Sequence, residues 1–206
     1  MSINQLLASQ NHVFIKQIKE WGEIITNFET KNKYQLLDES GKQIAYIYET
    51  GSGFMHFIKR MIFRSHRAFT IDIVDDQKQL LMRLDRPFFW FFSDLTILDP
   101  QGKVLGQVFR RFGFFSKKYD LVDANGRTFA KISAGIFKIW TFNILDQMEN
   151  HIATISKKWG GILKEMFTDA DQFGVEFKQV SDELRPVVLG CAISIDFDFF
   201  DDNHKN

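Results

Sequence analysis

Cysteine, proline and unbalanced charge are what this sequence has least of. With Cys191 as the one cysteine, no internal disulfide can form, and a reducing compartment is expected. Only 3 prolines occur, with no Gly/Ser tract, so nothing reads as a linker and residues 1–206 are expected to form one domain. Lys plus Arg number 26 and Asp plus Glu number 26, so global charge draws the chain to neither nucleic acid nor anionic lipid. Any such attraction has to come from local clustering. Residues 1–10 lack the basic start and apolar run of a secretory signal and are expected to be flexible, as is the tail 201–206. Catalytic constellations are also missing. His12, His56, His66, His151 and His204 show no metal-ligand spacing, and Cys191 lies in the most apolar segment, where a thiol is inert. There is no phosphate-binding glycine loop and no nucleophile elbow. The chain therefore reads as a non-enzyme without a small-molecule substrate.

What is abundant is phenylalanine, 23 residues, enough to fill a core or to face lipid. Organisation comes from a repeat. Leu36-Leu37-Asp38, Ile73-Val74-Asp75, Ile97-Leu98-Asp99, Leu121-Val122-Asp123 and Ile144-Leu145-Asp146 each join an apolar pair to an Asp and a turn, and three of the turns carry Gly. Asp caps its own turn and Gly accepts positive φ, so each unit predicts strand, tight turn, strand. Five hairpins give ten strands, and Val13 to Phe28 can add more. A sheet that long is expected to close, because closure removes exposed edges.

In such a meander all Asp turns share one end and all crossings the other. The turn end then collects Asp38, Glu39, Asp75, Asp76, Asp99, Asp123, Asp146 and Glu149. The crossing end collects Lys59, Arg60, Arg64, Arg67, Arg86, Arg110, Arg111, Lys117, Lys118, Lys138, Lys157 and Lys158, so a neutral chain is expected to be polar end to end. The crossing end is also aromatic, with Phe88, Phe89, Trp90, Phe91 and Phe92 in a row. Side chains alternate along a strand, so some of these five must be covered or meet a membrane or partner. Segment 54–64 places Phe54, Ile58, Met61 and Ile62 on one helical face among basic residues. It reads equally as an interfacial helix or as a cap on the barrel mouth. The expected lipid-binding set is Lys59, Arg60, Arg64, Arg67, Arg110, Arg111, Lys117 and Lys118, with Phe88 to Phe92 inserting into the membrane.

Pro186 to Ile195 is the most apolar run. A helix from Val187 to Phe200 reaches about 21 Å, short of the roughly 30 Å of a bilayer core. Asp196 and Asp198 add about 2.5–3.5 kcal/mol each near a helix centre in lipid. A helix inside the barrel explains the run better, with Val187, Val188, Leu189, Gly190, Cys191, Ala192, Ile193 and Ile195 as its core.

Four segments resemble the phospholipid scramblase family. Phe28-Glu29-Thr30-Lys31-Asn32-Lys33-Tyr34 resembles the stretch that opens its domain, and Leu84-Asp85-Arg86-Pro87 resembles its Glu-Arg-Pro. Ile155 to Gly174 resembles its longest signature nearly residue for residue, and Ile195-Asp196-Phe197-Asp198-Phe199-Phe200 resembles its C-terminal end. The resemblance implies a mainly β fold: a tubby-like closed antiparallel barrel of about twelve strands around a C-terminal hydrophobic helix. It implies a calcium-responsive movement of phospholipids between leaflets. With its apolar helix inside the barrel, the protein is expected in the cytoplasm, peripheral to the membrane, in preference to an integral attachment through the C-terminal segment. Where relatives carry a cysteine cluster taken to be acylated, this chain has Phe88 to Phe92, so direct insertion is expected instead. The alternative is a binding module that grips anionic lipid headgroups, nucleic acid or a protein partner with its basic end; anionic lipid is the expected partner and nucleic acid is not. For calcium, Asp169 and Asp171 have the spacing of the first two ligands of an EF-hand-like loop, with Gly174 at its sharp turn. Phe173 can lend a backbone oxygen, and Glu176 or Asp182 a further carboxylate. The other reading is an Asp-rich turn into a strand. A calcium site here is expected to be weak, on the order of 0.1–1 mM.

Overall fold

The computed structural model describes residues 1–18, 33–50, 68–88, 94–111, 116–135, 141–157 and 172–199. The chain enters through a short helix, α1 (Ile3–Ala8), and runs through twelve strands. These are β1 (His12–Gln17), β2 (Lys33–Leu37), β3 (Gln43–Thr50), β4 (Phe69–Val74), β5 (Leu80–Arg86) and β6 (Asp94–Leu98). They continue as β7 (Val104–Arg111), β8 (Ser116–Asp123), β9 (Thr128–Gly135), β10 (Thr141–Asp146), β11 (His151–Ser156) and β12 (Gln172–Phe177), before a C-terminal helix, α2 (Arg185–Phe199). Each strand pairs antiparallel with its sequence neighbour, and β1 pairs with β12 to close the barrel. Closure of the sheet is what the repeat predicts, and about twelve strands is the number that the family resemblance implies.

The five hairpin turns share one geometry. The Oδ1 of Asp38, Asp75, Asp99, Asp123 and Asp146 accepts from the backbone N–H two and four residues on, at 2.8–3.0 Å. Three residues after each Asp the backbone turns to positive φ: Gly41, Lys78, Gly102, Gly126 and Glu149, at 63–82°. The register shifts by one residue just before each Asp. That combination is a type I turn closed by a bulge, in which the left-handed residue satisfies the strand twist.

Inward and outward faces alternate. Ile71, Ile73, Leu84, Leu95, Ile97, Val108, Leu121, Ile132 and Ile144 are among the buried core residues. Their outward neighbours are polar, as with Arg83, Asp85, Thr96, Lys131 and Asn143. From Val187 to Ile195, helix α2 is apolar nearly all the way round, the signature of a stretch with no solvent face. Val187, Val188, Leu189, Cys191, Ala192, Ile193 and Ile195 are each no more than 2 % exposed. The helix packs on β6, β7, β8 and β12 inside the barrel. Its close fit needs two glycines: a Cβ on Gly106 or on Gly190 would meet the facing side chains at 2.5 and 2.9 Å.

Within residues 1–10, Ile3–Ala8 form a capped and packed helix. Ser2 accepts from Gln5 N–H while the Gln5 side chain accepts from Ser2 N–H, a capping box. Ile3, Leu6 and Leu7 are buried. They lie against the start of α2, so apolar contact with a distant element overrides the missing length and periodicity of so short a helix. The tail 201–206 lies outside the described residues.

Candidate functional site at the crossing end

The strand directions put all five Asp turns at one end, together with α1 and the 178–184 connection. Its acidic residues are interleaved with Lys42, Lys78, Lys103, Arg127 and Lys178, so that pole is weaker than the Asp residues alone suggest. Turn positions are solvated, and both signs are tolerated there. The opposite end is the candidate site.

Of the expected lipid-binding residues, Arg110, Arg111 and Lys118 come together where β7 meets β8, with Arg110 opposite Tyr119 and Arg111 opposite Lys118. Arg110 shares the inward register of Gly106 and Val108 at the rim. Arg111 and Lys118 face outward and are exposed. Arg111 Nε donates to Asp120 Oδ2 at 2.9 Å, and its guanidinium stands 5.3 Å from the Phe109 ring centroid. Phe88, beyond β5 at the same end, is 39 % exposed. Lys59, Arg60, Arg64, Arg67, Phe89, Trp90, Phe91 and Phe92 lie outside the described residues, and so does the Lys117 side chain.

Sequence reasoning missed a polar cluster at the barrel mouth. Near the end of α2, Asp196 Oδ1 pairs with Lys157 Nζ at 3.5 Å, with side chains 13 % and 10 % exposed. Asp196 Oδ2 accepts from Tyr34 Oη at 3.4 Å. The pair borders a small cleft floored by Phe142, Ile155, Phe173, Ala192 and Ile195. A second cation is buried across the barrel: Arg86, on β5, is 2 % exposed, with its guanidinium 4.0 Å from the Phe69 ring centroid. A sequence signal for this cluster does exist. Tyr34, Arg86, Lys157 and Asp196 come from the four separate segments that carry the family resemblance. Their convergence on one end makes that end the candidate site.

Of the expected calcium residues, the structure describes Phe173, Glu176 and Asp182, and these three stand apart. Asp169 and Asp171 lie outside the described residues. Phe173 is buried in the core on the inward face of β12. Glu176 faces outward, 3.6 Å from Lys178 Nζ and 3.8 Å from His12 Nε2, and accepts from Thr154 Oγ1 at 3.2 Å. Asp182 stands at the Asp-turn end beside Arg185 Nε at 3.3 Å. Among the described residues, no three His, Cys, Asp or Glu side chains are grouped to hold a metal ion. The described members of that set therefore do not fit one shared ion. Among the described residues no helix is long and apolar enough to cross a membrane.

The chain is 27 % identical to a phospholipid scramblase family protein of Schizosaccharomyces pombe, over 96 % of this chain and 61 % of that one. It is 28 % identical to phospholipid scramblase 1 of Mus musculus, over 96 % of this chain and 63 % of the relative. With phospholipid scramblase 2 of Homo sapiens the identity is 27 %, over 96 % and 70 %. The chain thus spans less than two thirds of the length of the first two. No solved structure gives a significant match. The profile of the Scramblase family matches residues 2–202, and the chain belongs to that family.

Proposed function

We propose that the chain works on phospholipid membranes as a scramblase-like protein, seating its crossing end on the cytoplasmic leaflet. The observation that carries this reading is the gathering of Arg110, Arg111, Lys118 and exposed Phe88 at one end of a barrel that is polar around its sides. A membrane-spanning barrel carries an apolar outer band; here Asp72, Arg83, Asp85, Arg111, Lys118, Asp120 and Glu176 face outward. Basic side chains draw an anionic leaflet at about 1 kcal/mol each near the surface, and an exposed aromatic adds an apolar anchor.

The filled barrel limits the mechanism. Helix α2 occupies the interior, so a lipid headgroup has no path along the barrel axis. Movement of lipid then proceeds by disturbing one leaflet from outside. A second reading has the same support: a module that docks on anionic lipid and moves nothing. Two measurements separate them. Cosedimentation with phosphatidylserine-containing vesicles tests docking, and Arg110→Ser plus Arg111→Ser plus Lys118→Ser should weaken it several-fold. A dye-quench assay on reconstituted vesicles tests movement between leaflets; docking without quenching selects the second reading. Retention of most of the protein in the membrane pellet after alkaline carbonate would overturn peripheral attachment.

Calcium responsiveness is proposed to rest on Asp169 and Asp171, because Glu176 and Asp182 are engaged elsewhere. A rise in melting temperature at millimolar calcium should persist in Glu176→Gln and Asp182→Asn and vanish in Asp169→Ala plus Asp171→Ala.

A further inference from the structure

We propose that the outer face of β6, β7 and β8 beside the rim selects phosphatidylethanolamine, with the headgroup phosphate on Arg111 and Lys118 and its primary ammonium on Asp94. This inference rests on the reading that the crossing end docks on membrane, and it names the headgroup that the docked face prefers.

The face is built in two rows. Arg111 and Lys118 stand opposite each other where β7 and β8 reach the rim. One row further from the rim, Asp94, Phe109 and Asp120 stand side by side across β6, β7 and β8. All five point outward, because Leau95, Val108 and Tyr119, which alternate with them, are buried in the core. Two residues along a strand separate the rows, about 7 Å. Asp94 and Arg111 are diagonal neighbours across β6 and β7, a spacing that long side chains bridge. Cations therefore lie nearest the leaflet, with carboxylates behind them.

The bonding capacity left on this face has the same order. Arg111 Nε is committed to Asp120 Oδ2 at 2.9 Å, and its guanidinium lies over the Phe109 ring. That holds the fork in place with its Nη groups turned to no described partner. The side chains of Lys118 and Asp94 are exposed, and among the described residues neither has an ion pair or a hydrogen bond. Partial burial raises the Asp94 carboxyl above its ordinary value, and the positive charge of Arg111 offsets this only in part. A second cation brought to Asp94 offsets the remainder.

Phosphatidylethanolamine carries its charges in the matching order. The phosphate adjoins the glycerol, and the ammonium stands beyond it through a two-carbon link. A barrel seated by its rim meets the phosphate with Arg111 and Lys118 and the ammonium with Asp94. Charge-assisted bonds from a guanidinium to phosphate are the strong kind. Phosphatidylcholine offers the same phosphate, but its trimethylammonium has no N–H to donate to a carboxylate. Phosphatidylglycerol has no cation. Phosphatidylserine brings its ammonium together with a carboxylate, which Asp94 and Asp120 repel.

The test holds vesicle charge constant. The full chain is cosedimented with vesicles of phosphatidylglycerol in phosphatidylcholine, and with vesicles in which phosphatidylethanolamine replaces part of the phosphatidylcholine. The replacement should tighten binding about threefold, the gain of one exposed ion pair. Phosphatidylethanolamine also alters headgroup packing, so variants separate recognition from packing. Asp94→Asn should lose the preference. Having shed an anion near an anionic surface, it should also bind the phosphatidylcholine mixture more tightly than wild type does. Asp94→Glu should keep the preference, and Arg111→Ser should weaken binding to both mixtures. Phosphatidylserine in place of phosphatidylglycerol should bring no comparable gain. Soluble O-phosphoethanolamine, at the concentration of the lipid, should not displace the protein. Equal binding of wild type to both mixtures overturns the headgroup assignment and leaves the docking reading standing. A preference that survives in Asp94→Asn also overturns it, because the effect then lies in the bilayer. A gain with phosphatidylserine as large as that with phosphatidylethanolamine overturns the choice of ethanolamine, and displacement by the soluble compound overturns the commitment to a membrane lipid. Absence of binding to either mixture overturns the docking reading and the headgroup assignment with it.

Discussion

A Cβ on Gly106 would stand 2.5 Å from Cγ2 of Val187, so β7 and α2 meet with no room for even a methyl group. The same atom would stand 2.5 Å from the Val122 carbonyl oxygen, which is backbone and cannot yield. Gly190 differs. Its added Cβ would meet Ile97 Cγ1 at 2.9 Å and Leu84 Cδ2 at 3.2 Å, both on flexible side chains. Gly106→Ala is therefore expected to cost more than about 3 kcal/mol and Gly190→Ala about 1–3 kcal/mol. Val187→Ala should rescue Gly106→Ala only in part. Urea unfolding of the four variants checks the order, and equal costs for the two glycines would contradict this fit.

The hairpin turns allow a test in the opposite direction. Lys78 and Glu149 hold φ of 63° and 64°, where Gly41, Gly102 and Gly126 stand in the other three turns. A left-handed backbone disfavours residues with a Cβ. Lys78→Gly and Glu149→Gly should each stabilise by about 0.5–1 kcal/mol, a rise of about 2–4 °C per kcal/mol in a chain of this size. Gly102→Ala should lose a similar amount, and at that site the cause is backbone alone, because nothing lies within 4 Å of the added Cβ.

Acid should act on the same turns. The Asp38 carboxyl is raised by partial burial, but hydrogen bonds from Ser40 and Lys42 bring it below its ordinary value of 3.8. Asp123 is held low by the Arg127 and Asn125 backbone N–H groups, and Asp146 by the Asn150 side chain with the backbone of Asn150 and Met148. A carboxyl whose folded pKa is depressed contributes stability above its unfolded value, and that contribution is lost as pH falls through the folded value. Stability should thus hold above about pH 5 and decline below about pH 4. Asp146→Asn should lower stability at neutral pH and flatten the acid decline, both read from urea midpoints across that range. A decline of unchanged steepness would place the acid sensitivity elsewhere.

These turns were also the most legible part of the fold. An Asp, its acceptor geometry and a left-handed residue three positions on are contained in five residues, so local sequence states them. Burial of α2 was legible for a similar reason: Val187 to Ile195 is apolar on every side and too short for a bilayer. The cluster at the mouth was not. Tyr34 and Asp196 are 162 residues apart in the chain, and only the family resemblance of their two segments links them, with no local pattern that pairs one with the other. Closure of β1 on β12 has the same character, since His12 finds Glu176 only once every intervening hairpin is in place. The end-to-end charge separation was overread, because cations such as Lys42 and Lys103 inside the acidic turns follow from turn chemistry and were not weighed against the Asp residues. The N-terminal helix was missed because six residues cannot show a period, and its support comes from the far end of the chain.

That support predicts the last outcome. Arg185 Nη1 donates to the carbonyl oxygens of Leu7 and Gln10, each at 2.6 Å, and to that of Ala8 at 3.3 Å. Its Nε donates to the Val180 carbonyl at 3.4 Å, and the guanidinium lies 5.1 Å from the Phe177 ring centroid. The last carbonyls of a helix have no partner within it, and the Arg185 guanidinium works as a planar fork, one prong (Nη1) satisfying the end of α1 and the other (Nε) reaching Val180. A cation at the start of α2 is disfavoured by that helix's own polarity, and the carbonyls of α1 offset the penalty. Removing α1 should therefore injure α2 twice, by uncovering Ile3, Leu6 and Leu7 and by stranding Arg185. Leu7→Ala is expected to cost about 2–4 kcal/mol, as much as a core position on a strand. Arg185→Lys keeps the charge but loses the fork, and should cost nearly as much as Arg185→Met. Deletion of residues 1–10 should lower the melting temperature by more than either change. A deletion that left melting unchanged would show that the first ten residues are dispensable, and the clasp would then be a contact without consequence.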